Sequence, residues 1–319
     1  MTKMEKEKVI VLIGPTAVGK TNTSIELAKR FDGEIISGDS MQIYKRMDIG
    51  TAKISADEME GVPHHLLDIR NPEDSFSVAE FQQLVRKKIS DIHSRGKTPM
   101  IVGGTGLYIQ AVLYDYQFTE TPGDERYRLE LEEDLEKHGS EWLHVKLKKV
   151  DPVSAFNIHP NNTRRVIRAL EIYHCTGKTM SEYQESQTHE LQYDVALIGL
   201  TMDREKLYKR INLRVELMME QGLLEEVKAL YDEGVRDVQS VQAIGYKELY
   251  EFFDGAVSLE QAIENLKQNS RRYAKRQLTW FRNKMDVAWF DMTEESLHVK
   301  NIEDISEFIA GKLQLKSNK

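Results

Sequence analysis

Val9-Ile10-Val11-Leu12-Ile13 runs directly into Gly14-Pro15-Thr16-Ala17-Val18-Gly19-Lys20-Thr21, and Asn22 to Phe31 follows with Ile25, Leu27, Ala28 and Phe31 apolar among polar neighbours. The first piece has the length of a buried strand, and the last carries helical periodicity. The eight residues between them fit the phosphate-loop pattern G-x-x-x-x-G-K-[ST] in the strand–loop–helix frame that pattern requires. The glycines let backbone N–H groups wrap an anion, and the N-terminus of the following helix adds positive potential. Lys20 supplies a point charge, and the Thr21 hydroxyl is a ligand for Mg2+. The stretch predicts a phosphate site but does not say whether the phosphate belongs to a nucleotide.

Working outward, Glu34–Ser37, Pro99–Val102 and Asp194–Leu200 are further apolar segments of strand length. The first three strands alternate with helical patterns, as in a parallel sheet covered on both faces. The fold expected is α/β, a P-loop NTPase-like parallel sheet flanked by helices. Between Thr119 and Tyr193 the texture changes. Asp124–Lys137, Ser140–Lys149 and Asn161–His174 are charged and amphipathic, punctuated by Gly139, Asp151-Pro152 and Gly177. These read as an all-helical inserted domain. The organisation expected is therefore 1–118 for the first part of the core, 119–193 for the helical insertion, and 194–319 for the completed core with its C-terminal basic helices.

The 319 residues, 40% hydrophobic and 30% charged, have the makeup of a globular protein with a substantial core. No apolar run approaches the ~18 residues of a membrane-spanning helix. The charged stretch Met1–Lys8 leads straight into a strand and carries no export signal, so the address expected is cytoplasmic. A single cysteine, Cys175, excludes an intrachain disulfide and a cysteine-rich zinc site. The net charge of −8 argues against bulk-charge binding of nucleic acid, so such a partner needs local basic patches.

Ligands in open α/β sheets gather at the carboxyl ends of the strands. There the second strand enters Gly38-Asp39-Ser40-Met41-Gln42-Ile43-Tyr44, and the third enters Gly103-Gly104-Thr105-Gly106-Leu107-Tyr108. Neither the third nor the fourth strand ends in the acid that usually helps a P-loop ATPase hold Mg2+. Asp39 is the one carboxylate so placed. It reads either as a turn former or as a general base facing an acceptor. The glycines at 103, 104 and 106 read either as a plain turn or as a second close approach to phosphate, with Thr105 as a donor. His64-His65 lacks a third ligand at metal spacing and reads as structural or substrate-orienting. Basic residues cluster at Arg164, Arg165 and Arg168; along Arg204, Lys206, Lys209, Arg210 and Arg214; and along Arg271, Arg272, Lys275, Arg276, Arg282 and Lys284. At ~100° per residue, the last set forms one wide face, with Tyr273, Trp280 and Phe281 opposite. Each cluster alone reads as solvated surface; three together fit a polyanion touching separate parts of the molecule.

In order along the chain, Gly14–Thr21, Gly38–Tyr44, Gly50-Thr51-Ala52-Lys53, Gly61-Val62-Pro63-His64-His65-Leu66-Leu67-Asp68, Val102–Tyr108, His159-Pro160-Asn161 with Arg164–Leu170, Ala243-Ile244-Gly245-Tyr246-Lys247 and Ala274–Trp280 resemble the successive motifs of the tRNA dimethylallyltransferases, also called tRNA isopentenyltransferases. The resemblance covers nearly the whole chain and is to the short bacterial type. It implies transfer of a dimethylallyl group from dimethylallyl diphosphate to N6 of the adenosine 3′ of the anticodon in tRNA. It also implies that Gly14, Pro15, Thr16, Ala17, Val18, Gly19, Lys20 and Thr21 hold the donor's diphosphate. Carried over by motif, Asp39 is the general base, Thr105 lies at the reacting centre, and Asp39, Ser40, Met41 and Gln42 contact the tRNA. Arg164, Arg165, Arg168, Gln242, Gly245, Tyr246, Lys247, Lys275, Arg276, Gln277, Trp280 and Arg282 grip it. An arginine of Asp124–Arg128 approaches the substrate, Arg126 being favoured.

On physical grounds the departing diphosphate needs Lys20, Mg2+ at Thr21 and an arginine such as Arg210 or Arg214. Met41 and Tyr44 are candidates to shelter an extruded base. The protein is expected to act as a monomer, with no membrane partner. Two rivals use the same loop: a small-molecule or nucleotide kinase with ATP, and a GTPase-like RNA-binding switch.

Overall fold

The computed structural model describes residues 6–118, 124–187 and 190–318. In chain order the elements are β1 (Lys8–Ile13), α1 (Lys20–Arg30), β2 (Gly33–Ser37), β3 (His64–His65), α2 (Val78–Ser94), β4 (Thr98–Gly103) and α3 (Gly106–Leu113). Then come α4 (Glu125–His138), α5 (Ser140–Val150), α6 (Pro152–Asn157), α7 (Thr163–Thr176) and α8 (Met180–Glu185). The chain ends with β5 (Asp194–Thr201), α9 (Arg204–Glu220), α10 (Leu223–Asp232), α11 (Tyr246–Phe253), α12 (Leu259–Lys284), β6 (Ala288–Asp291) and α13 (His298–Leu313). They form two compact units, Met1–Leu113 with Leu191–Lys319, and Tyr114–Glu190.

In the first unit six parallel strands pair in the order β3-β2-β4-β1-β5-β6. β1 lies between β4 and β5, with Leu12 in register with both Val102 and Ile198. Buried on both faces, it reads as an unbroken apolar run rather than an alternating one. The chain leaves β1 for β2, two places away in the sheet, and later completes the other side with β5. The strand order therefore switches at β1, and the loop after it opens into the crevice where such sheets bind ligands. Ile25, Leu27 and Ala28 of α1, with Ile302, Ile305 and Ile309 of α13, close one core over Ile10, Leu12 and Ile198.

The two strands that the sequence reading did not anticipate are the sheet's edges. β3 is only two residues long, and β6 is a four-residue, partly exposed strand directly after a long basic helix. Neither leaves a periodic signal of useful length.

The second unit has its own core, Leu131 of α4 with Leu143 and Leu147 of α5 and Val166 and Leu170 of α7. Asp124 caps α4 by accepting from the Tyr127 N–H at 3.1 Å. Asp151, almost fully buried, accepts from Ser154 N–H at 2.9 Å and from Ser181 N–H at 3.0 Å, holding the starts of α6 and α8 together.

Candidate active site

The phosphate loop takes its shape from two left-handed residues, Ala17 (φ +65°) and Gly19 (φ +105°). The second carries no penalty at glycine, and it releases the chain into α1 without a side-chain cap. The free backbone N–H groups of the α1 start are thus left for an anion. Lys20 folds back over the loop, its Nζ donating to the carbonyls of Pro15 at 2.8 Å and Gly14 at 3.0 Å. Burial, then the Arg214 guanidinium, pushes its pKa down to about 8, while Asp39 pulls the other way.

Arg214 comes from α9, a helix capped by Asp203 at Glu205 and Lys206 and seated through Leu207, Ile211 and Val215 at four-residue spacing. Arg210 and Arg214, four residues apart and so on one helix face, border the cleft with Lys20 and Thr21 of the loop. Arg214 donates to Thr16 Oγ1 at 3.4 Å, and burial holds its pKa below the usual arginine value. Arg210 lines the cleft beside the loop and lies 3.8 Å from Glu295.

Asp39 forms the turn that one of its sequence readings expected, and it does so at the edge of the crevice. Its Oδ1 accepts the Met41 N–H at 2.8 Å, forming a turn, and its side chain also borders the crevice. Thr105 fixes this turn against the end of β4. Its N–H reaches the Gly38 carbonyl at 3.4 Å, and its Oγ1 accepts from Ser40 N–H at 3.2 Å. Gln42 accepts from Ser37 Oγ at 3.0 Å and donates to the carbonyls of Thr51 and Ala52 at 3.2 and 3.3 Å, tying down the other end.

The helix α12 closes the crevice, with consequences that differ from the expectation for it. Gln277 was expected on the RNA-gripping surface; instead it is buried. Its Oε1 accepts Thr16 N–H at 3.0 Å and its Nε2 donates to the Gly104 carbonyl at 3.0 Å, so one amide bolts the phosphate loop to the glycine turn. A Cβ on Gly104 would come within 2.0 Å of that Nε2, so only glycine admits the bolt. One turn earlier, Tyr273 borders the crevice together with Asp39, and burial pushes its pKa up to about 12. Trp280 packs its ring on Gly106.

Two cavities meet here. One, of about 310 Å³, has apolar walls of Ile211, Val215, Leu223 and Leu266. The other, of about 920 Å³, contains Lys20, Thr21, Gly103, Gly104 and Arg210. Thr16, Asp39, Arg214, Met218 and Tyr273 border both. The junction brings together an anion cradle, a carboxylate, a phenol and an apolar chamber.

Other expected residues fall in several environments. Ser40, Met41, Gln242, Gly245 and Arg276 line the smaller cavity. Lys247, Lys275 and Arg282 are exposed. Tyr246, expected to grip RNA, is instead a core residue: its hydroxyl donates to Glu226 and its ring fills the space above Gly50. Tyr44 is likewise fully buried and cannot shelter an extruded base from the crevice. In the helical unit Arg164 and Arg165 are exposed, and Arg126 is exposed with Glu130 at 3.7 Å. Arg128 and Arg168 are instead committed to the buried carboxylate of Glu171 at 2.8 and 2.7 Å.

Sequence reading missed Tyr273 and Glu226 as site builders. Tyr273 is four residues before Gln277 and shares its helix face, a signal that was present. Glu226 accepts from the N–H groups of Asp48, Ile49 and Gly50 at 2.8–3.0 Å and so shapes the cavity rim. No local pattern announces that role.

Among the described residues no three His, Cys, Asp or Glu side chains converge as a metal cage. His65 instead pairs with the buried Glu34 at 2.7 Å, which Arg95 also binds. The donors near the loop, the exposed Thr21 hydroxyl and the Asp39 carboxylate, are hard oxygens in small number. That set fits Mg2+, which keeps several waters and shares phosphate oxygens rather than sitting in an all-protein cage.

A family model described as IPP transferase matches residues 42–284. The tRNA dimethylallyltransferase of Bacillus cytotoxicus is 68% identical over 318 residues, covering 100% of this chain and 99% of that protein. That of Bacillus mycoides is 65% identical over the same spans. The crystal structure of a full-length tRNA isopentenylpyrophosphate transferase from Bacillus halodurans superposes with a TM-score of 0.74 at 58% identity, covering 97% of each chain. A eukaryotic dimethylallyltransferase crystallised acting on tRNA gives 0.80 at 36% identity, covering 93% of this chain and 77% of that one.

Proposed function

The chain belongs to the IPP transferase family of tRNA dimethylallyltransferases, and from that membership we infer that it transfers a dimethylallyl group from dimethylallyl diphosphate to N6 of the adenosine 3′ of the anticodon in tRNA. The products are N6-(dimethylallyl)adenosine in the tRNA and free diphosphate. The observation that carries the site assignment is that Asp39 and Arg214 stand on the shared wall of a cationic phosphate cradle and an apolar chamber.

An allylic diphosphate ionises readily because the developing positive charge is delocalised, so the catalytic burden lies on the leaving group. The loop N–H groups, Lys20 and Arg214 face it with preorganised positive charge in a partly dry site, where such donors act most strongly. Thr21 would hold Mg2+, which would neutralise diphosphate charge. Adenine N6 is a weak nucleophile because its lone pair is drawn into the ring. Asp39 accepts its proton as the C–N bond forms, worth of the order of 10²–10⁴-fold. The base must leave its stack to reach this point. Met41 and the apolar chamber give the base and the isoprenoid chain a seat from which water, the competing nucleophile, is excluded.

The exposed α12 residues Lys275, Arg276 and Arg282, with Gln242 and Lys247, are assigned to the tRNA backbone and loop. Arg126, Arg164 and Arg165 are assigned to it from the helical unit. Among the described residues no helix is long and apolar enough to cross a membrane; a cytoplasmic monomer completes the reading. The test is equilibrium binding and turnover with labelled dimethylallyl diphosphate, labelled ATP and unmodified tRNA. Prenyl transfer without ATP supports the inference; phosphoryl transfer from ATP without prenyl transfer overturns it.

A further inference from the structure

We propose that Glu226 is a positioning residue for the transfer step: it fixes the loop 48–52 and, through Gln42, the turn that carries Asp39. The proposal rests on the reaction inferred above and adds to it a residue that touches no reactant.

Residues 48–53 form a tight coil, in which Ala52 N–H donates to the Ile49 carbonyl and Lys53 N–H to the Asp48 carbonyl, each at 2.9 Å. Like the first turn of a helix, such a coil cannot satisfy its opening N–H groups from within. Glu226 of α10 satisfies them from outside. Its Oε2 accepts from Asp48 N–H at 2.9 Å and Ile49 N–H at 2.8 Å, and its Oε1 accepts from Gly50 N–H at 3.0 Å and from the Tyr246 hydroxyl. A carboxylate is the stronger kind of acceptor for such neutral donors. At the far end Lys53, with its side chain 5% exposed, donates to the Tyr44 carbonyl at 2.7 Å and pairs with Asp48 and Asp68 at 2.5 and 2.6 Å.

Between these anchors the loop walls the site: Thr51 and Ala52 border both cavities, as Asp39 does. Glu226 borders neither, and both its oxygens are engaged, so it acts on the reaction through the loop. The path is an unbroken run of hydrogen bonds. Asp39 N–H donates to Ser37 Oγ at 3.4 Å, Ser37 Oγ donates to Gln42 Oε1 at 3.0 Å, and Gln42 Nε2 donates to the Thr51 carbonyl at 3.2 Å. The peptide that carries this carbonyl sends its N–H, that of Ala52, to the Ile49 carbonyl; the next peptide sends Gly50 N–H to Glu226. Every member donates in the same sense, towards the carboxylate, and bonds so aligned polarise one another.

The diphosphate cradle is held by other contacts, Lys20 on the carbonyls of Gly14 and Pro15, and Thr16 on Gln277 and Arg214. Loss of Glu226 therefore shifts Asp39 relative to the donor and leaves the cradle as built.

The experiment measures diphosphate affinity by calorimetry and single-turnover transfer from dimethylallyl diphosphate to saturating unmodified tRNA. It compares wild type, Glu226→Ala, Glu226→Gln, Gln42→Ala and the double variant of Glu226→Ala with Gln42→Ala. A misplacement of about 1 Å is enough to slow a reaction by about 10²-fold, so Glu226→Ala is expected to lose that much transfer while diphosphate affinity stays within about twofold. Glu226→Gln keeps one oxygen for Asp48 and Ile49 but loses the acceptor for Gly50, so its rate is expected between those of wild type and Glu226→Ala; if Glu226→Ala fails to fold, the same two readouts on Glu226→Gln decide. Because both single changes cut one path, the double variant is expected within about threefold of the slower single one. Unchanged transfer on loss of the carboxylate, diphosphate affinity falling in step with transfer, or losses that multiply in the double variant each overturn the proposal. Wild-type transfer in the same assay checks the underlying reaction separately.

Discussion

Lys20 is half-buried against two carbonyls with the Arg214 charge nearby, and in the absence of donor its pKa lies at about 8 rather than 10.5. The sign of the linkage is set by that depression. Between pH 8 and 10.5 the unfolded chain binds more protons than the native one, so this group's contribution to stability rises with pH across that window. Below pH 8 holding the charged amine in place costs of the order of 3 kcal/mol. A bound diphosphate reverses the balance by supplying the counter-charge and restoring an ordinary pKa. At pH 9 free Lys20 is about one-tenth protonated and bound Lys20 almost fully so, an uptake of about 0.9 proton; at pH 7 the uptake is about 0.1. Calorimetry of diphosphate binding in buffers of different ionisation enthalpy measures this number directly. Lys20→Arg keeps the charge but removes the titration, and subtracts any protons exchanged by the diphosphate itself. Donor affinity should accordingly fall about tenfold per pH unit above 8 in the wild type and stay level in the variant. Equal uptake at the two pH values, or identical behaviour of the wild type and the Lys20→Arg variant, would refute the reasoning.

Three other outcomes follow from the same geometry. Asp39→Ala should lower turnover by 10²–10⁴-fold while tRNA affinity, read by filter binding, holds; near-normal turnover removes Asp39 from the base role. Gln277→Ala severs the bolt between Thr16 and Gly104 and leaves a part-buried N–H and a buried carbonyl unpaired, the latter at about 1–3 kcal/mol. Its melting temperature should fall and its diphosphate affinity weaken, whereas loss of tRNA binding alone would return Gln277 to the RNA surface. Changing Arg276 or Arg282 should weaken tRNA binding and reduce the salt dependence by about one unit of slope per phosphate contact; an unaltered slope means that these side chains meet only solvent.

The loop at Gly14–Thr21 was legible because its geometry is local. Eight consecutive residues, a strand before and a helix after determine the loop, and β1, β2, β4 and β5 lie within one or two residues of where apolar patterning put them. Helices α4, α5 and α7 were equally plain from charge periodicity and glycine or proline breaks. What escaped was anything decided by a partner far along the chain. Nothing near Gln277 says that its amide will meet Thr16, 261 residues away, rather than solvent. Tyr246 carries an RNA-gripping motif in sequence, yet Glu226 and Gly50 draw it into the core. Tyr273 was set on the far side of a basic face because helical geometry gives a direction without telling what lies there. Periodicity finds faces; only the packed molecule says which face meets the crevice.

The central claim is that the loop at Gly14–Thr21 presents a prenyl diphosphate to an adenine amine deprotonated by Asp39. The direct measurement is mass spectrometry of nucleosides from unmodified tRNA incubated with purified enzyme, Mg2+ and dimethylallyl diphosphate, with ATP omitted. The account predicts N6-(dimethylallyl)adenosine at the position 3′ of the anticodon with wild type and almost none with Asp39→Ala. Unmodified tRNA after wild-type incubation, or product that requires added ATP, would contradict it.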